Sequence, residues 1–513
     1  MKLKLLSFLI VITASKVLGQ ASGQLNINNI NANVYSNGTL FDGAFEVPAG
    51  SFKNSIYLSS FWIGGKDSTG QLHIASQVYG QAGNDLFYGP IATNYSDPSY
   101  LLHDAVYKIN RTTINDHILN YQNSGYIVPN ELSRWPGNGN VANGEAASLA
   151  PYADINLNGT YDPANGDYPL IRGDQAIYFI FNDAKSVHTE TGGASLGLEF
   201  HAMLYGYNSP DPALNESVFL NLEIYNRSDL NYDSTYFGLF VDMDLGGSQD
   251  DLVGYDSLKK IFYTYNASSF DLVYGSIVPA QGCLSLNNIP SRFITYNNDN
   301  TNQGNPVSAN DYYNYLKGKW LDESPLTFGG NGIGGNSVTN YMYTGFPEWG
   351  FGWTEIDVLN TPGDRRGLMT FGPFSFESQE QRCYDFAFPF AFGNGSPENA
   401  IQNVRTRSAT LQNIYDSCSC TCSFHTSVIP VSSASTLKFY PNPSNGKFQI
   451  DTEKLNLLKS DVISVYSSIG NLIIKSNTID SHHVVDLSEY PDGIYFAKIT
   501  SMNKIYSAIL IKD

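Results

Sequence analysis

The segment 437–513 constrains the fold more than any other part of this chain. Short apolar runs alternate in it with turns rich in Gly, Pro and Asn, for example at 442–446 and 490–493. Apolar and polar residues alternate at 447–450 and 494–499, as they do in half-buried strands. Strands of this length and spacing predict a small Ig-like β-sandwich of about seven strands.

Three motifs of this tail are specific when taken together. They are Leu-Lys-Phe-Tyr-Pro-Asn-Pro at 437–443, Val-Tyr-Ser-Ser-Ile-Gly at 465–470 and Asp-Gly-Ile-Tyr-Phe at 492–496. On these residues the tail resembles the type A C-terminal sorting domain of cargo of the Bacteroidota type IX secretion system. The resemblance implies export to the cell surface or beyond, through an outer-membrane shuttle protein and translocon. It also implies that a sortase-like peptidase can remove the tail and attach the cargo to lipopolysaccharide.

The N-terminus has the pattern of a secretory signal peptide. Lys2 and Lys4 precede an apolar stretch that runs to Ile12 and is too short to span a membrane. No other apolar run of about 18 residues follows, so no transmembrane helix is expected. The sequence therefore predicts four parts: a signal peptide at 1–19, an extracellular body at 20–425 with one or two subdomains, a Ser-rich linker at 426–436 and the sorting domain at 437–513.

The charge of the chain restricts its partners. Asp and Glu outnumber Lys and Arg by 48 to 29, and the formal net charge is −19. A surface this acidic repels nucleic acids and anionic lipids. It is compatible with cation binding, and it is equally typical of secreted proteins that merely need to stay soluble.

The body is predicted to be rich in β-structure with a few helical inserts, so the whole chain is expected to be mainly β. The clearest helical pattern covers 397–415, where Ser396 is a good N-cap and Pro397 suits the first turn. Weaker helical patterns cover 113–121 and 309–320. Predicted strands lie at 55–63, 176–181, 198–207, 218–226, 236–241 and 261–265.

Several motifs of the body also resemble a broad group of uncharacterised Bacteroidota surface proteins. The resemblance implies export and surface display, and it implies no particular chemistry. The residues that carry it are 173–176, 181–183, 188–190, 242–246 and 360–366.

One segment of the body has the spacing of a calcium-binding loop. It matches the first half of the pattern D-x-[DN]-x-[DN]-G, in which alternate oxygen-bearing side chains point inward and Gly159 permits a sharp turn. It departs from an EF-hand because Asn165 replaces the usual bidentate Glu and no helices flank it. The alternative is a loop of Asx turns without an ion. The predicted calcium ligands are Asp154, Asn156, Asn158, Thr160 through its carbonyl, Asp162 and Asp167.

A second cluster of carboxylates follows a predicted strand. Asp242 and Asp244 lie on one face of its end, and Asp250 and Asp251 follow a Gly-Gly turn. These four residues are a second predicted calcium site. The alternatives are a solvated acidic loop and an acid/base pair, although no nearby motif indicates a substrate.

Two His and two Glu residues form a third arrangement. If 188–190 and 199–201 were neighbouring strands of one hairpin, His188 would face His201 and Glu190 would face Glu199. Such a group predicts a polar ladder around an ion pair, with a transition-metal site as the less favoured alternative. The intervening Gly-Ala-Ser-Leu-Gly at 193–197 formally matches a nucleophile elbow, but a strand pattern follows it where the elbow needs a helix.

Five cysteines occur, at 283, 383, 418, 420 and 422. Disulfides are permitted in an exported protein, and their odd number leaves one thiol over. The spacing Cys-Ser-Cys-Thr-Cys also allows a thiolate metal site, but disulfides near the end of the body are favoured over it.

The preferred function is a secreted cell-surface protein with calcium-stabilised loops that binds or adheres, with gliding motility as one such role. Neither its glycan or protein ligand nor its binding residues can be identified from the sequence. A secreted hydrolase acting on glycans or proteins and a structural component of the cell surface are the alternatives. No catalytic residues are assigned, and the absence of enzymatic activity is favoured.

Overall fold

The computed structural model describes residues 20–79, 83–418, 422, 438–450, 462–467, 472–476, 483–501 and 504–512. The chain divides into two compact units, Met1–Phe424 and His425–Asp513. The predicted signal peptide and linker lie outside the described residues. Strands dominate both units, which confirms the mainly β prediction. Within the described part, no helix is long and apolar enough to cross a membrane.

The first unit contains twenty described strands, which extend from residue 22 to residue 392. They are β1 (Ser22–Leu25), β2 (Asn31–Tyr35), β3 (Leu40–Glu46), β4 (Asn54–Ile56), β5 (Leu58–Lys66), β6 (Leu72–Ser76), β7 (Phe87–Tyr88), β8 (Tyr107–Asn110), β9 (Tyr152–Ala153), β10 (Tyr168–Pro169), β11 (Gln175–Asn182), β12 (Leu198–Gly206), β13 (Ser217–Asn226), β14 (Tyr232–Asp242), β15 (Asp251–Asp256), β16 (Ile261–Asn266), β17 (Pro279–Ser285), β18 (Arg292–Asn297), β19 (Arg365–Phe376) and β20 (Gln381–Phe392).

In the described part of the first unit, four short helices lie between these strands, and one long helix follows them. They are α1 (Arg111–Asn120), α2 (Asn130–Ser133), α3 (Pro212–Asn215), α4 (Ala309–Leu316) and α5 (Pro397–Ser417), with 3-10 turns at Tyr100–His103, Val141–Asn143, Pro163–Asn165 and Pro347–Trp349.

Two nine-stranded antiparallel sheets form the body. The first has the order β1-β2-β3-β5-β14-β19-β18, with β4 on β3 and β6 on β5. The second has the order β15-β16-β17-β20-β13-β12-β11-β7, with β8 on β11. Hairpins of consecutive strands make up parts of both sheets, and long-range pairs such as β5 with β14, β14 with β19 and β13 with β20 join these parts.

Aromatic side chains hold the two sheets face to face. Phe61 of the first sheet stacks on Phe181 of the second, with ring centroids 5.5 Å apart, and Phe237 contacts Tyr384 at 4.3 Å. Because side chains alternate along a strand, Phe240 points away from this core and stacks on Trp62 on the outward face of the first sheet.

Helices cover part of each outward face. The α4 residue Tyr312 packs edge-on against Trp62, with centroids 4.8 Å apart. The helix ends at Leu316, short of the predicted 320, because Gly318 adopts a positive φ of 68°. On the second sheet, α5 buries Ile401 and Val404 in a separate apolar cluster.

The predicted elements of the body are confirmed in kind. The pattern at 397–415 forms α5, where the Ser396 side chain accepts a hydrogen bond from the backbone of Asn399. The pattern at 113–121 forms α1, which begins two residues earlier. The predicted strands correspond to β5, β11, β12, β13, β14 and β16.

A disulfide joins Cys383 of β20 to Cys422, beyond the end of α5. This confirms a disulfide near the end of the body. Cys283 is buried on β17 and is the free thiol of the described residues. Cys420, which the alternative metal site needs, lies outside the described residues.

The second unit is a small β structure with its own core. A three-stranded sheet has the order β21-β22-β25 and a four-stranded sheet the order β24-β23-β26-β27. Phe448, Ile463 and Leu510 are among the residues buried in this core. Its described strands are β21 (Phe439–Tyr440), β22 (Lys447–Ile450), β23 (Val462–Ser467), β24 (Leu472–Ser476), β25 (Val484–Asp486), β26 (Gly493–Ser501) and β27 (Lys504–Lys512).

Candidate functional site

The predicted calcium loop at 154–167 lies between β9 and β10, which pair with each other. The carboxylate of Asp154 accepts hydrogen bonds from the backbone of Asn158, at 3.2 Å, and of Gly159, at 2.7 Å. Leu157 and Gly159 both have positive φ, of 58° and 77°, so the chain turns sharply here. The loop is therefore a compact turn and not an extended segment.

The carboxylate of Asp162 accepts hydrogen bonds from several side chains of this loop. The side-chain amides of Asn156, Asn158 and Asn165 all donate to its carboxylate, at 3.1, 2.9 and 2.9 Å. These bonds, led by the one from Asn165, lower the pKa of Asp162. A half-turn of each amide exchanges its nitrogen for its oxygen. The same side chains could then present oxygen ligands to a cation beside Asp162.

Two other predicted ligands of this loop have structural partners. Asp167 is fully buried, and its oxygens accept from the backbone of Ile155 at 2.8 Å and of Asp162 at 2.9 Å. Burial raises the pKa of Asp167. The backbone of Thr160 donates to the Asn158 side chain at 2.7 Å. These contacts hold the loop in shape without an ion.

A second acidic group forms at the end of β14. This strand pairs with β19 so that Asp242 lies opposite Arg366. The same antiparallel register, continued by two residues, places Asp244 opposite Asp364, on the same face. Within the described part of the chain, Asp242, Asp244 and Asp364 are the carboxylates close enough to share an ion, with ligand atoms within 4.8 Å of one another.

Asp242 is the buried member of this acidic group, whereas Asp244 and Asp364 are half-buried. Asp242 is 2% exposed, and its Oδ2 accepts from the Tyr79 hydroxyl and lies 3.7 Å from Arg366 Nε. Burial, and then the charge of Asp244, raise the pKa of Asp242 to about 7. Burial, and then the charge of Asp364, raise the pKa of Asp244 to about 6. Both carboxylates are thus harder to ionise than usual.

The other two predicted ligands of this segment lie apart from the group. Asp251 is fully buried, and its Oδ2 accepts from the backbone of Leu245 at 3.0 Å. Its Oδ1 has no hydrogen-bond partner among the described residues, but Asp251 is not one of the carboxylates whose ligand atoms lie within 4.8 Å of one another. Burial, followed by the charge of Asp271, raises the pKa of Asp250. Asp364 was not among the predicted ligands, because only the long-range pairing of β14 with β19 brings it to Asp242 and Asp244.

The predicted hairpin of 188–190 with 199–201 is wrong. The strand β12 pairs with β11 and β13, and His201 lies opposite Ile180 and Glu223. Residues 183–197 are instead the loop between β11 and β12. His188 is buried in that loop, with its ring nitrogens 2.8 Å from the Ile74 carbonyl and 2.7 Å from the Asp183 carbonyl.

Buried Asp183 begins this loop, and its carboxylate closes the loop by accepting hydrogen bonds from residues at the other end. The Asp183 carboxylate accepts from the backbone of Leu196 and of Leu198, each at 2.6 Å, and from the Ser195 hydroxyl at 3.2 Å. The hydroxyl of Ser195 also accepts from the backbone of Gly197. A strand follows this motif, as expected, and the contacts of Ser195 stabilise the turn.

Glu199 and His201 do form an ion pair, on the outward face of the second sheet. Glu199 Oε1 lies 2.9 Å from His201 Nε2 and 2.8 Å from an Arg227 guanidinium nitrogen, and Oε2 accepts from the backbone of Ile91 at 2.7 Å. Burial would raise the pKa of Glu199, but the bond with His201 and the charges of His201 and Arg227 outweigh it and lower the pKa to about 2. Glu190 lies elsewhere, accepting from the Tyr312 hydroxyl.

A polar cavity of about 310 Å³ lies beside β18 and the loop at 360–365. One carboxylate, Glu355, is among its described lining residues. Glu355 Oε1 pairs with Arg365 at 2.9 Å, and Oε2 accepts from the backbone of Val253 at 2.7 Å. Both oxygens are thus engaged in structural contacts. The other polar side chains of the lining include Asn297, Gln303, Asn331, Tyr343 and Asn360.

Comparison with known proteins identifies the tail. Residues 438–513 match the model of the secretion system C-terminal sorting domain. No curated protein matches the chain significantly. A solved polysaccharide lyase is 6% identical, with a TM-score of 0.20, and the match covers 88% of this chain. The chain spans 46% of the length of that structure, and the likeness is too low to support an argument about function.

The match to the tail confirms the export prediction. The chain carries a type IX sorting domain and is a secreted cargo of that system, delivered to the cell surface or the extracellular space. What the body does after delivery depends on the features of the body itself.

Proposed function

We propose that the exported body is a binding protein of the cell surface that adheres to a glycan or protein ligand. The observation that carries this proposal is a pair of exposed aromatic side chains on one turn, Trp349 and Phe351, which are 67% and 69% exposed. Rigid aromatic rings give contact area at a low entropic cost, which is why binding surfaces are rich in them. Adhesion of this kind would also suit a role in gliding.

The turn that carries these rings is firmly held. The backbone of Phe346 and of Phe351 exchange two hydrogen bonds, one of 2.7 Å and one of 3.3 Å. Glu348 forms an ion pair with Arg405 of α5, which also binds Asp256 at 2.6 Å. A turn anchored to a helix in this way presents the rings in one orientation, and this supports a recognition role.

The hydrolase alternative receives less support. A glycosidase would need two carboxylates in a cleft, one of them free to act on the substrate. The cavity beside β18 has Glu355 among its described lining residues, and both oxygens of that side chain are occupied. The polar lining is better suited to hydrogen bonding of a ligand.

A binding experiment tests the proposed role. The purified mature chain would be applied to glycan and protein arrays, and the Kd for the strongest ligand then compared between wild type and the double variant Trp349→Ala, Phe351→Ala. We expect at least a tenfold loss of affinity. The matched control is Phe52→Ala, which removes a ring that is 91% exposed on another turn. An unchanged Kd in the double variant, or turnover of the ligand, would contradict the proposal.

We also propose that the sorting domain contacts the type IX translocon and its shuttle protein, and is the substrate of a sortase-like peptidase. Deletion of 437–513 should trap the protein in the periplasm, as measured by cell fractionation. The same tail fused to a periplasmic reporter should carry the reporter to the surface. Surface delivery of the truncated chain would refute this.

Calcium binding by the loop at 154–167 belongs to the same proposal. The convergence of three side-chain amides on the Asp162 carboxylate supports it, because carboxylate and amide oxygens are the ligands that Ca²⁺ takes in proteins. Calcium should protect the amide hydrogens of this loop from exchange relative to a chelator-treated sample. Equal exchange in both samples would show that this loop does not bind calcium.

A further inference from the structure

We propose that Asp242, Asp244 and Asp364 form a second, half-buried Ca²⁺ site, with Asp364 as a ligand in place of Asp250 and Asp251. This inference does not depend on the ligand-binding role or on the loop at 154–167. It starts from the pairing of β14 with β19, which brings the three carboxylates onto one face with ligand atoms within 4.8 Å of one another.

The strongest argument is that each carboxylate has a buried oxygen without a partner. Oδ1 of Asp242, of Asp244 and of Asp364 is shielded from solvent and makes no hydrogen bond within the described part of the chain. A buried polar atom is normally bonded, and leaving one unsatisfied costs about 1–3 kcal/mol, more if it is charged. Three such oxygens in one place indicate that a further group binds there.

The remaining oxygens show that the side chains are held in position. Asp364 Oδ2 accepts from the Asn298 amide at 3.0 Å and lies 3.4 Å from Arg366. Asp242 Oδ2 is bonded by the Tyr79 hydroxyl. Each of these carboxylates therefore uses one oxygen for anchoring and leaves the other for a ligand.

The charge and the donor atoms indicate the class of ion. Three carboxylates face one guanidinium, that of Arg366, so their full ionisation would leave an excess of negative charge that a divalent cation would balance. All three ligands are oxygens, and no His or Cys belongs to the group of described residues. Oxygen-only sites favour Ca²⁺ or Mg²⁺ over zinc, and the flexible shell of Ca²⁺ is easier to complete with water and backbone carbonyls.

An ion at this position would connect distant parts of the body. Asp242 and Asp244 precede the acidic loop that leads into β15, whereas Asp364 belongs to the segment that precedes β19. That segment also supplies Asn360 and Thr361 to the lining of the polar cavity. Calcium would thereby fix one wall of the cavity.

Calorimetric titration of CaCl2 into the chelator-treated mature chain tests the site. Asp364→Asn should reduce the number of bound Ca²⁺ equivalents by one. The matched control Asp250→Asn should bind as wild type does. The loop variant Asp162→Asn should lose a different equivalent, so that failure of one site is distinguishable from failure of the other. Parallel titrations with MgCl2 should give at least tenfold weaker binding at this site.

Unaltered binding by Asp364→Asn would overturn the proposal, and so would a lost equivalent in Asp250→Asn.

A melting experiment separates a ligand from a merely structural residue. Among the described residues the Asp244 side chain has no hydrogen-bond partner, and Asn in its place would remove a repulsion and could donate to the neighbouring oxygens. Asp244→Asn should therefore raise the Tm in chelator and abolish the increase that calcium gives to wild type. A lower Tm in chelator, with the calcium response retained, would show that Asp244 has only a structural role.

Discussion

Two acidic clusters, each built around one buried carboxylate on the outward face of a sheet, differ in how their charges are matched. Glu199 on the second sheet has both oxygens engaged, by His201, Arg227 and a backbone amide, and its pKa falls to about 2. Asp242 on the first sheet keeps one oxygen without a partner, and its pKa rises to about 7.

Glu199 and Asp242 themselves are buried to nearly the same extent, at 1% and 2% exposed. The direction of each pKa shift is therefore set by the partners and not by burial alone. The cluster of Glu199 is complete without any other molecule, whereas that of Asp242 is not. This difference is the reason to assign a structural role to the first and an ion-binding role to the second.

The largest effect is expected when the complete cluster is broken. Glu199→Gln leaves Arg227 and His201 facing a neutral amide, and removing one partner of a buried ion pair costs about 3–5 kcal/mol. We expect a loss of this size in the free energy of unfolding, measured with urea. The matched control is Glu380→Gln, whose pair with Arg382 is partly exposed and should cost less than about 1 kcal/mol. Equal losses of unfolding free energy in both variants would show that the buried cluster of Glu199 stabilises the fold no more than an exposed ion pair does.

The same cluster should make stability depend on acid. The pKa of Glu199 is about 2 in the folded chain against an ordinary value of 4.5. The folded state therefore releases this proton more readily than the unfolded state does. The resulting stabilisation is complete above about pH 4.5 and is lost as the pH falls towards 2. It amounts to about 3 kcal/mol. The stability gap between wild type and Glu199→Gln should narrow over this pH range. A constant gap would contradict the assignment.

In the cluster of Asp242, the stability of the folded chain should depend on the single guanidinium, that of Arg366. Arg366→Gln leaves three neighbouring carboxylates without a counter-charge, and we expect a loss of about 2 kcal/mol in chelator because buried charges lose their partner. Calcium should restore most of that stability, since the ion would supply the missing positive charge. Urea unfolding with and without calcium measures this. A loss that calcium does not reduce would indicate that Arg366 acts through packing alone.

The smallest effect is expected in the exposed loop around Asp162. Its amide partners Asn156, Asn158 and Asn165 are all exposed, so few buried contacts depend on this carboxylate. In chelator, Asp162→Asn should leave the Tm within experimental error of wild type, while hydrogen exchange of the loop increases. A large fall in Tm would show that the loop contributes to the stability of the whole body.

Local patterns were predictable from the sequence, and long-range pairing was not. The helix at α5 follows from Ser396, Pro397 and the apolar spacing after them, all within one segment. The tail is recognisable because its turns and strands are also local. The predicted hairpin around His188 is wrong because the Asp183 carboxylate accepts from the backbone of Leu196 and Leu198 and closes a loop there, and no periodic pattern of apolar residues reports such a contact.

The acidic site shows the same limit. Asp242 and Asp244 were found by their spacing of two residues along a strand. Asp364 lies in the motif at 360–366, but no pattern in the sequence around it indicates that it is close to Asp242. Only the register of β14 against β19, in which Asp242 lies opposite Arg366, makes them neighbours. Charge complementarity between 242–244 and 364–366 was the one available signal.

The disulfide between Cys383 and Cys422 determines where mechanical load enters the body. A pull on the chain beyond Cys422 passes through the covalent cross-link into β20, a strand held between β13 and β17. The helix α5 lies within the loop that this cross-link closes, so it is shielded from tension. In a surface protein tethered through its C-terminal end, the second sheet would then bear the shear force, and α5 would not be the first element to detach.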